Sequence, residues 1–233
     1  SNSQGSGNSI MSVDRNGILI LFKPQDWTSF DVIAKMRGIL KMKRLGHAGT
    51  LDPMATGVLP VFVGRATKAC DILPDHDKVY EAGFRLGVST DTQDSTGTVT
   101  KERDPSGADI EKLSAVLENF RGDIMQIPPM YSALKVNGKK LYELAREGKE
   151  IERKSRPVTF YEIEILHMEL PNVKIRVVCS KGTYIRALAR DIGQRLQSGA
   201  HLIALRRTRV GDVRVENCIT FEQFTNLIDN EIK

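Results

Sequence analysis

Gly46-His47-Ala48-Gly49-Thr50-Leu51-Asp52-Pro53 is the stretch on which the reading of this chain turns. It sets one carboxylate, Asp52, in a loop between two glycines and a proline. Pro53 fixes its own φ and pushes the residue before it toward extended backbone. Gly46 and Gly49 let the main chain come close to another molecule. Such a loop can aim a single acid at a ligand. It can equally be a tight turn in which Asp52 caps the next element. The choice between the two depends on what the rest of the chain supplies.

Just upstream, Lys35, Arg37, Lys41, Lys43 and Arg44 follow one another with no acid between them. A second run, residues 174–214, holds ten basic residues against two acids, Asp191 and Asp212. The formal net charge is only +5, but the pI is about 9.1. Clustered cations are the footprint of a phosphate-binding surface, and a single cluster is also what a solvated face looks like. Two clusters, one beside the Asp52 loop, favour nucleic acid. A lipid surface fits less well, because the basic segments read as β-rich, without a long basic amphipathic helix.

Composition bounds the remainder. The 233 residues, 40% of them apolar, suffice for one large or two small domains. No apolar run is long enough to span a membrane and no signal peptide is visible, so a cytoplasmic protein is expected. Residues 1–11 are mostly Ser, Asn and Gly and read as a disordered added tag. That leaves 12–233 as the folded part. Cys70, Cys179 and Cys218 are odd in number and far apart, which suits free thiols in a reducing compartment. His47, His76, His167 and His201 show no metal spacing with each other or with cysteine, so no structural zinc is expected. Asp91 and Asp94, with Thr90, Thr96 and Gly97, resemble a calcium loop only superficially; a turn is the better reading. Residues 64–67 lack a phosphate-loop pattern.

Periodicity predicts a strand over residues 17–23. A helix capped by Ser29 follows, with Phe30, Ile33, Met36, Ile39 and Leu40 on its apolar side. Residues 58–63 read as a buried strand. In 79–86, Tyr80, Ala82, Phe84 and Leu86 share one face of a strand. A short strand is expected over 96–101. A helix through Ile110, Leu113, Val116, Leu117 and Phe120 is expected to end at Gly122. Asn137-Gly138 is a turn after 131–136, and a short helix over 141–147 stops at Gly148. Residues 158–170 and 173–179 read as paired strands. Thr183 is expected to cap a helix to about residue 197. Short strands near 202–205 and 210–215 and a helix over 221–228 complete the pattern. Strands and helices mix without strict alternation, which predicts an α+β fold on a central mixed or antiparallel sheet.

Two segments outside the loop invite chemistry. Lys181-Gly182-Thr183-Tyr184-Ile185-Arg186 opens a helix, where free backbone N–H groups and basic residues make an anion site. Arg186 can there pair with a carboxylate or phosphate, or be an ordinary surface arginine. Tyr80 is either a core aromatic or, if its face borders the Asp52 loop, a platform for a base.

These residues carry a resemblance. Residues 46–59, Gly46-His47-Ala48-Gly49-Thr50-Leu51-Asp52-Pro53-Met54-Ala55-Thr56-Gly57-Val58-Leu59, resemble the signature of the TruB family of tRNA pseudouridine synthases. Lys23-Pro24 with Thr28-Ser29-Phe30-Asp31, Lys78-Val79-Tyr80 with Leu86-Gly87, and Gln126-Ile127-Pro128-Pro129-Met130-Tyr131-Ser132-Ala133 are similar to further segments of that family. So are Leu141-Tyr142-Glu143-Leu144-Ala145-Arg146-Glu147-Gly148, Cys179-Ser180-Lys181-Gly182-Thr183-Tyr184-Ile185-Arg186 and Leu205-Arg206-Arg207. The likeness runs in order over about residues 17–215.

The resemblance implies the pseudouridine synthase fold and an isomerase that turns the T-loop uridine at tRNA position 55 into pseudouridine. It implies tRNA, through its T arm, as the partner; a monomer is expected, though not implied by the resemblance. It implies no cofactor. By the same resemblance Asp52 is the nucleophile, attacking C1′ of the ribose or C6 of the base. Arg186 pairs with Asp52, and Tyr80 stacks on a uracil flipped from the helix. His47 contacts RNA or fills the emptied stack, Tyr184 and Leu205 line the substrate pocket, and Lys23 is structural or RNA-facing. Relatives usually continue into a small RNA-binding domain of the PUA type, which is expected to be absent from this chain. A non-catalytic RNA-binding protein would need the basic clusters but not Asp52, Tyr80 and Arg186 together. A base exchanger acting on RNA would release free uracil.

Overall fold

The computed structural model describes residues 16–69 and 77–232. The expected tag, Cys70 and His76 lie outside the described residues. In chain order the strands are β1 (Gly17–Lys23), β2 (Leu45–His47), β3 (Ala55–Val63), β4 (Lys78–Leu86), β5 (Val88–Thr90), β6 (Val99–Glu102), β7 (Gly122–Gln126), β8 (Lys135–Val136), β9 (Lys139–Lys140), β10 (Arg156–Glu169), β11 (Asn172–Cys179), β12 (Ala200–Val210) and β13 (Val213–Arg214). The helices are α1 (Ser29–Leu40), α2 (Ile110–Glu118), α3 (Leu141–Arg146), α4 (Ile185–Arg195) and α5 (Phe221–Ile232). The described elements mix α and β with antiparallel strand ladders, as the α+β pattern predicts. The chain divides into two compact units, one of Ser1–His76 with Arg206–Lys233 and the other of Asp77–Leu205.

In the first unit β1 lies antiparallel to β3 over its whole length, from Gly17 opposite Val63 to Lys23 opposite Gly57. β2 pairs with the far end of β3, Leu45 to Val63 and His47 to Val61. Leu21, Leu59 and Val61 from the strands meet Val32, Met36, Phe224 and Ile228 from α1 and α5 in one apolar core. α1 starts at a capping box: the Thr28 hydroxyl accepts from the Asp31 N–H, and the Asp31 carboxylate accepts from the Thr28 N–H, both at 2.9 Å. Thr28, not Ser29, is therefore the cap. Phe30, expected on the apolar side, is 67% exposed, and Ser29 and Val32 take inward places.

The second unit is built on β4, β11, β10 and β7, joined in that order by antiparallel ladders. The buried face of β4 is the alternating set Tyr80, Ala82, Phe84 and Leu86, with Val79 also buried. α2 ends at Glu118, and Gly122, with φ +85°, opens β7 instead of closing the helix. Asn137 (φ +53°) and Gly138 (φ +81°) join β8 and β9, the backbone that a type I′ hairpin turn requires. The two short strands expected near residues 202 and 210 are one continuous eleven-residue strand, β12, with β13 folded back on its end. Asp94 is buried and accepts from the Thr92 hydroxyl and from the N–H and hydroxyl of Thr96, so this segment is the turn that was expected.

Candidate active site

In the first unit, the backbone on both sides of Asp52 is tied down while Asp52 itself remains partly exposed. The Ser29 hydroxyl accepts from the Leu51 N–H at 3.1 Å and donates to the Leu51 carbonyl at 3.2 Å. The Pro53 carbonyl accepts from the Asp26 N–H at 2.7 Å and from the Lys23 ammonium at 3.2 Å. The Ala55 N–H closes a turn onto the Asp52 carbonyl at 2.9 Å. Gly49, at φ +69°, adopts the left-handed conformation that glycine takes without penalty. The carboxylate thus rides on a loop whose neighbours cannot shift independently.

Two fully or almost fully buried cations support this loop. Lys23 has no exposed surface, and its ammonium donates to the carbonyls of Pro24, Trp27 and Pro53. Of the two expectations for Lys23, this position supports the structural one. Burial pushes its pKa down to about 8, against the pull of the nearby Asp52 and other carboxylates. Arg207 is 1% exposed and donates to the Gly49 carbonyl at 2.7 Å and the Val58 carbonyl at 2.9 Å. His47, half-buried on β2, is held below the ordinary histidine range first by burial and then by the Arg207 charge. Its ring is therefore neutral at pH 7.

The second unit holds the other expected site residues. Tyr80 is buried on β4 opposite Val177, and Leu205 is buried near the end of the β12 segment of this unit. Tyr184, not Thr183, is the N-cap of α4, and it has no side-chain cap. The Thr183 hydroxyl instead donates to the Ser180 carbonyl at 2.8 Å. Gln126 holds this helix start in both directions: its oxygen accepts from the Tyr184 N–H at 2.9 Å and its NH₂ donates to the Tyr184 carbonyl at 3.1 Å. One N–H of the expected anion site is therefore already used. Arg186 is 4% exposed, so it is no ordinary surface arginine, and it donates to the Thr92 carbonyl at 3.1 Å.

The two basic runs behave differently. In the first, Lys35, Lys41, Lys43 and Arg44 are exposed, and among the described residues none of the run's five cations pairs with a carboxylate. Lys35 lies over the Trp27 and Phe221 rings, 5.2 and 5.0 Å from their centres. The second run is dispersed. Lys174 pairs with Glu81, Arg176 with Glu162 and Arg190 with Asp191, while Arg186 and Arg207 are buried.

A family model described as TruB family pseudouridylate synthase (N terminal domain) matches residues 37–185. The chain belongs to the TruB family. A second model, the tRNA pseudouridylate synthase B C-terminal domain, matches residues 186–232. Curated TruB relatives named tRNA pseudouridine synthase B include one from Clostridium novyi (strain NT), 51% identical over 90% of this chain and 72% of its own length. Another, from Francisella philomiragia, is 50% identical over 91% of this chain and 70% of its own length. Among solved structures, the crystal structure of a Cbf5-Nop10-Gar1 complex matches with a TM-score of 0.70 and 34% identity over 90% of this chain. An H/ACA RNP bound to a substrate RNA containing 2'-deoxyuridine matches with a TM-score of 0.67 and 31% identity. This chain spans about half of those two matched chains, 54% and 52%.

Proposed function

We propose that this chain isomerises the T-loop uridine at tRNA position 55 to pseudouridine, with Asp52 as the nucleophile. The observation that carries the proposal is the Asp52 loop: a partly exposed carboxylate whose flanking backbone is tied to Ser29, Asp26, Lys23 and Arg207. Its support in kinship is a set of relatives near 50% identity that are named tRNA pseudouridine synthase B. A pinned acid is what nucleophilic catalysis requires, because misplacement by about 1 Å can cost about 100-fold in rate.

In this reaction the bond from N1 of uracil to C1′ breaks, the base turns, and a bond from C5 to C1′ forms. The C5 proton is lost and N1 gains one, so the product is an isomer. Attack by Asp52 at C1′ would make the carboxylate act as in retaining glycosidases; attack at C6 would make the adduct on the base. Either route needs the uridine extruded from its stack. Tyr80 stacks on the extruded base, and Arg186 pairs with Asp52. His47 contacts the RNA or fills the vacated stack. Tyr184 and Leu205 line the base pocket. The exposed cations of residues 35–44 follow the phosphate backbone. The protein acts as a cytoplasmic monomer.

The test is a tRNA transcript incubated with the chain and mapped for pseudouridine at single-nucleotide resolution. Modification confined to the T-loop uridine is the expected result. Modification elsewhere, or free uracil in the supernatant, would replace the assignment with a different RNA enzyme.

A further inference from the structure

Arg207 is the largest side chain among the described residues with almost no exposure, and so far it enters only as one of several ties on the Asp52 loop. Burying a guanidinium is costly unless its donors are met. Here they are met without an acid: among the described residues no carboxylate pairs with Arg207, and its donors end on two backbone carbonyls. Those carbonyls belong to Gly49 and Val58, which bracket Asp52 in the chain. One rigid fork therefore closes the loop at its two ends.

The strand that carries Arg207 is held equally close. A side chain at Gly57 would place its Cβ 2.1 Å from the Arg207 carbonyl oxygen, and Gly57 sits at φ +116°. Only glycine fits there, so β3 and the Arg207 backbone approach without a spacer. The Lys23 ammonium holds Pro53, on the other side of Asp52, to the end of β1. The same guanidinium charge also acts on the half-buried His47 ring.

We propose that Arg207 is a positioning residue for the reaction: its guanidinium joins Gly49 to Val58 and fixes the aim of Asp52, and it touches no RNA. This rests on the reading of Asp52 as nucleophile. A lysine at this position keeps the charge but cannot span both carbonyls with a planar fork.

The experiment compares the full chain with Arg207→Lys and Asp52→Asn, measuring kcat and KM on tRNA, the dissociation constant for tRNA, and the melting temperature. For Arg207→Lys the expected result is a fall in kcat of about 100-fold, with KM and tRNA affinity within about threefold of the parent. A kcat within about twofold of the parent overturns the proposal. So does a loss of tRNA affinity that accounts for the fall in kcat/KM, since Arg207 would then be an RNA contact. If Arg207→Lys does not melt cooperatively, Gly49→Ala decides. It strains the exposed end of the same tie and leaves the buried charge in place; it should lower kcat at unchanged KM, and an unaltered kcat overturns the proposal. Asp52→Asn separates the two claims. Normal turnover there removes the nucleophile reading itself, whereas an inert Asp52→Asn beside a normal Arg207→Lys removes only the positioning role.

Discussion

Asp52 and Arg186 are held by opposite means. Asp52 stays partly exposed, and the backbone around it is tied down: Leu51 to Ser29, Pro53 to Asp26 and Lys23, and Gly49 to Arg207. Arg186 is itself buried, in the first turn of a helix whose start is gripped by Gln126, and its guanidinium meets the Thr92 carbonyl. On the reading proposed above, the difference follows from what each must do. A nucleophile has to meet a substrate that arrives from solvent, so its side chain cannot be locked by burial. A supporting cation can be locked that way, because it needs only one orientation.

The first way to break this contrast is Arg186→Lys. A lysine keeps the charge in the buried position but loses the fork, and pseudouridine formation should fall by about 100-fold or more. Unchanged turnover would show that Arg186 only anchors the turn at Thr92.

Lys23→Met tests the backbone side of the contrast. It strips a donor from the carbonyls of Pro24, Trp27 and Pro53 and should cost about 3 kcal/mol of stability. The pH dependence has a defined sign. The folded-state pKa of Lys23, about 8, lies below the ordinary 10.5. Between those values the unfolded chain binds more protons, so the stability contribution of Lys23 rises with pH across that window. Urea melts at pH 7 and pH 10 should show the gap between parent and variant widening at the higher pH. A gap that narrows would contradict the burial of a charged ammonium.

A smaller loss, about 1–2 kcal/mol, is expected for Gln126→Ala, which leaves the N–H and carbonyl of Tyr184 unmatched at the start of α4. Hydrogen exchange should then speed up in the first turn of α4 and not in the Asp52 loop. The mildest change is Lys41→Gln with Lys43→Gln. Each cation withdrawn from a phosphate should reduce the salt dependence of tRNA binding by about 0.7–0.9 in log–log slope. An unaltered slope would make this run a solvated face.

Much of the fold was legible because its elements obey local rules. β1 was readable to the residue, and β4 carries its alternation openly. Errors arose where two residues of similar chemistry stand side by side. Thr28 and Ser29 are both good caps, and only Asp31, at the right spacing for Thr28, separates them. The partition of β12 failed for a different reason. Arg206-Arg207 looks like a polar break between two apolar runs, yet Arg207 points inward and the strand continues through it.

The candidate site divides along the same line. Asp52, Tyr80 and Arg186 stand in motifs that announce themselves. Gln126 and Arg207 stood in matched segments with no role attached, because their partners are backbone groups far away in sequence. Arg207 reaches across 149 residues to Val58, and Gln126 across 58 to Tyr184. No local pattern encodes such a contact. The second basic run makes a related point: density along the chain says nothing of whether a cation faces solvent, pairs across strands as Lys174 and Arg176 do, or is buried.

The central claim is that Asp52 performs the chemistry. Its most direct test uses tRNA carrying tritium at C5 of the T-loop uridine and follows tritium release to water. The parent chain should release tritium in step with pseudouridine formation, and Asp52→Asn should release none while binding the same tRNA with similar affinity. Release by Asp52→Asn at the parent rate would contradict the account.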